Sequence, residues 1–232
     1  MKLLRILLGL LALYAGTADA QDNNTFLVKA GSTIEETIPF SEMYLYQQFR
    51  AGTVYFKDGR VSPGLLNYHR MLDEMHFVSP KGDTLSIANA PTIRLITIGT
   101  DSIYYASGFV QLITSTSTAK LAEKRFLKIV DHQKIGAYDQ PTSTASITSI
   151  KSITDANQYH KLTARENIVV VKDVEYYVGD RYDHFLPATR KNVLELFHKN
   201  SDAVKRFIKE NNTDFKSRKN LEALFDFLKQ NP

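Results

Sequence analysis

Between residues 44 and 130 no stretch of helical length separates one short apolar run from the next, and nothing else in the chain constrains its fold as much. Parallel strands need a crossover of a dozen or more residues, usually a helix. A chain without such crossovers builds an antiparallel sheet. Strands are predicted at 52–57, 65–72, 75–78, 84–88, 93–98, 101–105, 109–114 and 121–130. Turn clusters punctuate them, as in Lys57-Asp58-Gly59-Arg60 and Pro80-Lys81-Gly82-Asp83. Asp-Gly tolerates positive φ, the condition for a tight hairpin. Strand patterning resumes at 159–162 and 168–178, after a Ser/Thr-rich loop expected at 139–158. Residues 21–40 are polar and read as a leader or an edge strand at 25–29.

The period changes after Pro187. Val193, Leu194, Leu196 and Phe197 form a short amphipathic set, Val204, Phe207 and Ile208 a second. Leu221, Leu224, Phe225 and Leu228 recur at i, i+3, i+4 and i+7, the mark of one helix face. The expected fold class is therefore mainly β with a C-terminal helical segment, an α+β arrangement. An antiparallel meander at 41–186 forms a sandwich or a rolled sheet, and three short helices at 187–232 pack on it. The helical segment carries ten Lys/Arg against six Asp/Glu, so it accounts for the chain's net charge of +4. Its aromatics fall on the apolar side rather than among the basic residues. That is not the layout of a nucleic-acid surface, and no nucleic-acid partner is expected.

The N-terminus adds an address. Met1-Lys2-Leu3-Leu4-Arg5 is basic, the next ten residues are mostly apolar, and Ala18-Asp19-Ala20 is small-x-small. This order predicts a secretory signal peptide at 1–20. The apolar run is too short to span a bilayer, so no transmembrane anchor is expected after cleavage. The chain has no cysteine, so lipoprotein attachment, disulfides and thiol chemistry are excluded. The expected location is the periplasm or the outside of a bacterial cell.

Candidate chemistry is sparse. His69, Asp73, Glu74 and His76 would converge if their strands form a hairpin, offering a His/carboxylate site for a hydrolase or a metal. Their spacing matches no metalloprotease signature, so neither a metal nor a cofactor is expected. No Gly-x-Ser-x-Gly elbow occurs and no phosphate loop. Strand tyrosines Tyr44, Tyr46, Tyr104 and Tyr176 are candidates for outward partner contacts, because exposed aromatic rings suit both sugars and proteins. Asp83-Thr84-Leu85 and Asp101-Ser102-Ile103 fit a loose O-glycosylation pattern at Thr84 and Ser102.

Phe49-x-x-Gly52-Thr53-Val54-Tyr55-Phe56-Lys57-Asp58-Gly59, Leu66-Asn67-Tyr68 and Glu74-Met75-x-Phe77 together resemble segments of exported proteins of Bacteroidota. The ending is similar too, in Leu194-x-Leu196-Phe197, Lys205-x-Phe207-Ile208-Lys209-Glu210-Asn211 and Asp214-Phe215. The resemblance implies export and a sheet followed by helices; it implies no activity. The expected function is a non-enzymatic binding or scaffold module of a cell envelope, contacting a protein or glycan partner. A hydrolase at the histidine cluster and a carrier of an apolar ligand are the alternatives.

Overall fold

The computed structural model describes residues 24–135, 141–143, 164 and 166–230. The segment 1–20, the strand expected at 159–162 and all of 139–158 except 141–143 lie outside the described residues. Among the described residues the strands are β1 (Thr25–Val28), β2 (Arg50–Phe56), β3 (Val61–His69), β4 (Glu74–Val78), β5 (Thr84–Ser86) and β6 (Ile93–Ile98). They continue with β7 (Asp101–Tyr105), β8 (Phe109–Ser115), β9 (Ala119–Ile135), β10 (Pro141–Ser143), β11 (Asn167–Asp180) and β12 (Phe185–Pro187). All belong to one antiparallel sheet in the order β1-β11-β9-β8-β7-β6-β2-β3-β4-β5; β10 also pairs β9, and β12 pairs β11. Among the described residues the sheet does not close.

The path departs from a simple meander where β1 adds beside β11 and where β6 joins β2. β2 pairs β3 on one side, and β6 returns to pair it on the other. Gly52 permits the approach: a Cβ there would stand 2.5 Å from the Thr97 carbonyl oxygen. Two meanders therefore meet back to back at the β2–β6 pair.

The sheet is rolled. Tyr68, Met75, Ile96, Ile103 and Phe109 reach one buried cluster from five different strands. The β3–β4 turn crosses to the far limb, where the Leu127 N–H donates to the Arg70 carbonyl at 3.3 Å. The gap inside this roll between Tyr68, Ile103 and Phe109 is about 10 Å³. That is room for one water at most, so an apolar ligand has no place there.

Two short helices precede β2, neither of them expected from the sequence: α1 (Ile34–Thr37) and α2 (Phe40–Met43). Thr33 caps α1 in a reciprocal box, its hydroxyl accepting from Glu36 N–H at 3.2 Å while Glu36 accepts from Thr33 N–H at 2.9 Å. Ile34, Ile38 and Met43 pack on Leu127, Ile129 and Val170 of the β9–β11 ribbon.

After β12 come α3 (Arg190–Leu196), α4 (Ser201–Glu210) and α5 (Arg218–Gln230). Their faces bury Val193, Val204, Ile208, Leu221, Leu224 and Phe225 against Ala119, Leu121 and Val178 of the sheet. Glu123, buried on β9, ties α5 down through Arg218 at 3.3 Å. Helices this short are marginal alone, and packing on the sheet supplies their stability.

Candidate functional site

The hairpin β3–β4 places His69 opposite Glu74 and Asn67 opposite His76. Three of the four predicted residues therefore share a face. Tyr44 joins them: its backbone bridges His69, and its hydroxyl lies 3.0 Å from His76 Nδ1. His76 Nε2 stands 3.2 Å from Glu74 Oε2, which also accepts from the Ser86 hydroxyl. The Tyr44 ring meets His69 edge-on at 4.7 Å.

Asp73 leaves this group. It adopts φ 56° at the end of the turn and points into the roll. There its carboxylate accepts from the Tyr68 hydroxyl at 2.9 Å, the Phe109 N–H at 3.1 Å and the Lys124 ammonium at 2.7 Å. The four-residue site is thus split, with Asp73 locking the roll instead.

The two imidazoles of the remaining cluster are buried, while the Glu74 side chain stays 32% exposed. His69 and His76 are 1% and 3% exposed. Burial, then the charges of Glu35 and Glu74, push the Tyr44 phenol up to about 12. A nucleophile needs access and a lowered pKa, and Tyr44 has neither. Among the described residues no group of three His, Cys, Asp or Glu side chains is arranged to hold a metal ion.

The predicted contact tyrosines do not face outward as a row. Tyr44 and Tyr104 are buried, the latter against Phe185. Tyr46 is half-buried, with its hydroxyl on Asp101 at 2.7 Å, and Tyr176 packs into the helix core. Tyr44 and Tyr46 thus serve as wide packing residues whose hydroxyls are hydrogen-bonded. Thr84 is exposed on the edge strand β5, whereas Ser102 is half-buried on β7 opposite Thr97.

The accessible site lies elsewhere, beside the β11–β12 turn. Gly179 gives this turn its entry, since the Phe185 ring occupies the space a Cβ would need. Asp180 then organises the turn. Its Oδ1 accepts from Tyr182 N–H at 2.8 Å and His184 N–H at 2.9 Å, and its Oδ2 lies 2.9 Å from His184 Nδ1. Burial pushes the Asp180 carboxyl up, but the hydrogen bonds from His184 and Tyr182 outweigh it and hold it below its ordinary value. Asp183 takes φ 69° and pairs with Lys120 at 2.7 Å. The same ammonium donates to the Asp180 carbonyl at 3.3 Å.

The turn thereby projects Arg181 and Tyr182. Tyr182 is 64% exposed, and the Arg181 guanidinium sits 4.7 Å from its ring centre. They stand at one wall of a cleft of about 570 Å³. Its opposite wall is α3, held in place by the Asn192 side chain, which donates to the Pro187 carbonyl at 2.8 Å. Val178, Leu186, Leu196 and Phe197 supply apolar surface, and Asn192, Glu195, His198 and Asn200 supply polar groups. Apolar surface with a few convergent polar groups, at this volume, is the usual composition of a ligand site. Reading strand by strand missed it. The signal was Asp180-x-Tyr182-x-His184, an Asp whose side chain closes a turn on its own backbone two residues on.

No family model matches the chain, and no curated protein or solved structure matches it.

Proposed function

We propose that the chain is an exported, non-enzymatic binding module of a bacterial envelope, and that the cleft beside the β11–β12 turn is where it meets its protein or glycan partner. One observation carries the reading. The turn is braced by Asp180, Asp183, His184 and Lys120, and its two tip side chains, Arg181 and Tyr182, stack on each other at its surface, with the His184 ring 6.4 Å from that of Tyr182. A rigid support that presents an exposed aromatic–cation pair is suited to contact. The imidazoles of the histidine cluster are buried, which favours the binding reading over the hydrolase alternative. Export is supported by the basic, apolar and small-x-small order of the first twenty residues. No helix among the described residues is long and apolar enough to cross a membrane.

Two measurements test the reading. Sequencing the N-terminus of protein recovered from the export fraction should begin at Gln21. Immobilised protein should retain a component of envelope extract that a Tyr182→Ala variant does not. Equal retention by both proteins, or turnover in a panel of hydrolase substrates, would overturn the reading.

A further inference from the structure

We propose that the cleft takes a neutral oligosaccharide of two or more rings, laid across the strip formed by Thr118, Phe197 and Asn200. The proposal rests on the binding-module reading and names the ligand class.

Length is the first argument. A second hollow of about 240 Å³ adjoins the cleft, reaching Ser117 on one side and Leu228 and Lys229 on the other. Thr118, Phe197 and Asn200 line both hollows. The Thr116 hydroxyl fixes this border, accepting from Thr118 N–H at 3.2 Å and Ala119 N–H at 3.0 Å. Two hollows in series suit an elongated ligand better than a single compact one.

Chemistry is the second. A pyranose has an apolar C–H face and an edge of hydroxyls that both donate and accept. The cleft offers the complement: apolar Val178, Leu186 and Leu196, and the exposed ring of Tyr182, beside the polar groups of Asn192 and Glu195. Hydroxyls need donors and acceptors together. Arg181 only donates and an ionised Glu195 only accepts. Among the described residues Arg181 has no carboxylate partner and Glu195 no cationic one. The lining carries both signs, Asp180 and Glu195 against Arg181 and, in the adjoining hollow, Lys229, so an acidic or a basic chain would meet like charge at some point along it. A neutral polyol meets neither penalty.

Backbone geometry is the third. A peptide that binds by strand addition needs a free strand edge to pair with. The edge strand beside the cleft, β12, has three residues and ends in Pro187, which has no N–H to donate.

The test is titration of the purified protein with neutral gluco-, manno-, galacto- and xylo-hexaoses and their disaccharides, followed by backbone amide shifts. A polygalacturonate hexamer and an acidic peptide serve as comparators. At least one neutral hexaose should bind, should bind about tenfold more tightly than its disaccharide, and should shift the amides of Thr118, Tyr182 and Leu196. Tyr182→Ala should weaken it about tenfold while leaving the thermal midpoint in place. Glu195→Gln should weaken it less. Preference for the acidic hexamer or the peptide, no binding of any neutral hexaose, or binding that Tyr182→Ala leaves intact overturns the proposal. If envelope extract is still retained through Tyr182 while every neutral hexaose fails, the glycan assignment falls and the binding-module reading stands. If neither is retained, both fall.

Discussion

Asp73 keeps a left-handed backbone because three donors converge on its carboxylate. Asp is one of the few residues that tolerates this region. Removing the carboxylate also strands the Lys124 ammonium in a largely buried position. Asp73→Ala should therefore cost about 3 kcal/mol in urea unfolding, the size expected for breaking a buried pair. Glu74 acts differently. Its hydrogen bond to His76 holds its carboxyl below the ordinary 4.5 against the opposing effect of burial, with Ser86 assisting. A carboxyl depressed in the folded state adds stability above its unfolded pKa and loses it as pH falls through its folded value. Stability should thus decline below about pH 4.5, and Glu74→Gln should lose less between about pH 6 and about pH 3 than the native chain does. Denaturant midpoints across that range measure it. Tyr182→Ala is the contrast: an exposed side chain that meets only Arg181 and His184 of its own turn should shift stability by less than about 0.5 kcal/mol. Part of this was legible in the sequence. His69, Glu74 and His76 come together because hairpin register puts them on one face. Asp73 does not, because one positive φ at the turn's end reverses its direction, and no residue pattern announces that.

At the scale of elements, Gly52 and Phe225 hold the two halves of the molecule in different ways. A Cβ at Gly52 would press on the Thr97 carbonyl and on side-chain carbons of Leu66 and Ile98, each 3.0 Å away. Gly52→Ala should cost about 2 kcal/mol or more, read from the shift in denaturant midpoint, because backbone rather than a flexible side chain must yield. Phe225 is fully buried and meets Phe197 edge-on. Phe225→Ala should cost about 3–5 kcal/mol by the same measurement. The strands and the three C-terminal helices follow from periods of two and of 3.6, which survive any tertiary arrangement. The return of β6 to β2 does not show in periodicity, since either edge of β2 could have received it. α1 and α2 span barely one turn each, too short for a period to register. Only the Thr33-x-x-Glu36 spacing marked the first of them.

At the scale of the whole molecule, the β9–β11 ribbon belongs to three packing clusters. Its Leu127, Ile129 and Val170 lie under α1 and α2, its Leu121 and Val178 under the C-terminal helices, and its Ala122 and Tyr177 against Tyr104 and Val110. Clusters that share a ribbon should not melt separately. Heating should give one transition, with far-UV and near-UV signals coincident. Phe225→Ala should lower that single midpoint rather than open an earlier step. Two separate transitions would show that the helices fold independently of the sheet.

The β11–β12 turn divides its five residues by duty. Asp180, Asp183 and His184 maintain its shape, and Lys120 braces it from the neighbouring strand. Arg181 and Tyr182 stack on each other and reach no further than the His184 ring of the same turn. The turn is in effect a socket with two exchangeable heads. Selection, or a combinatorial library, can rewrite those two positions and search for new specificities while the scaffold beneath keeps its stability.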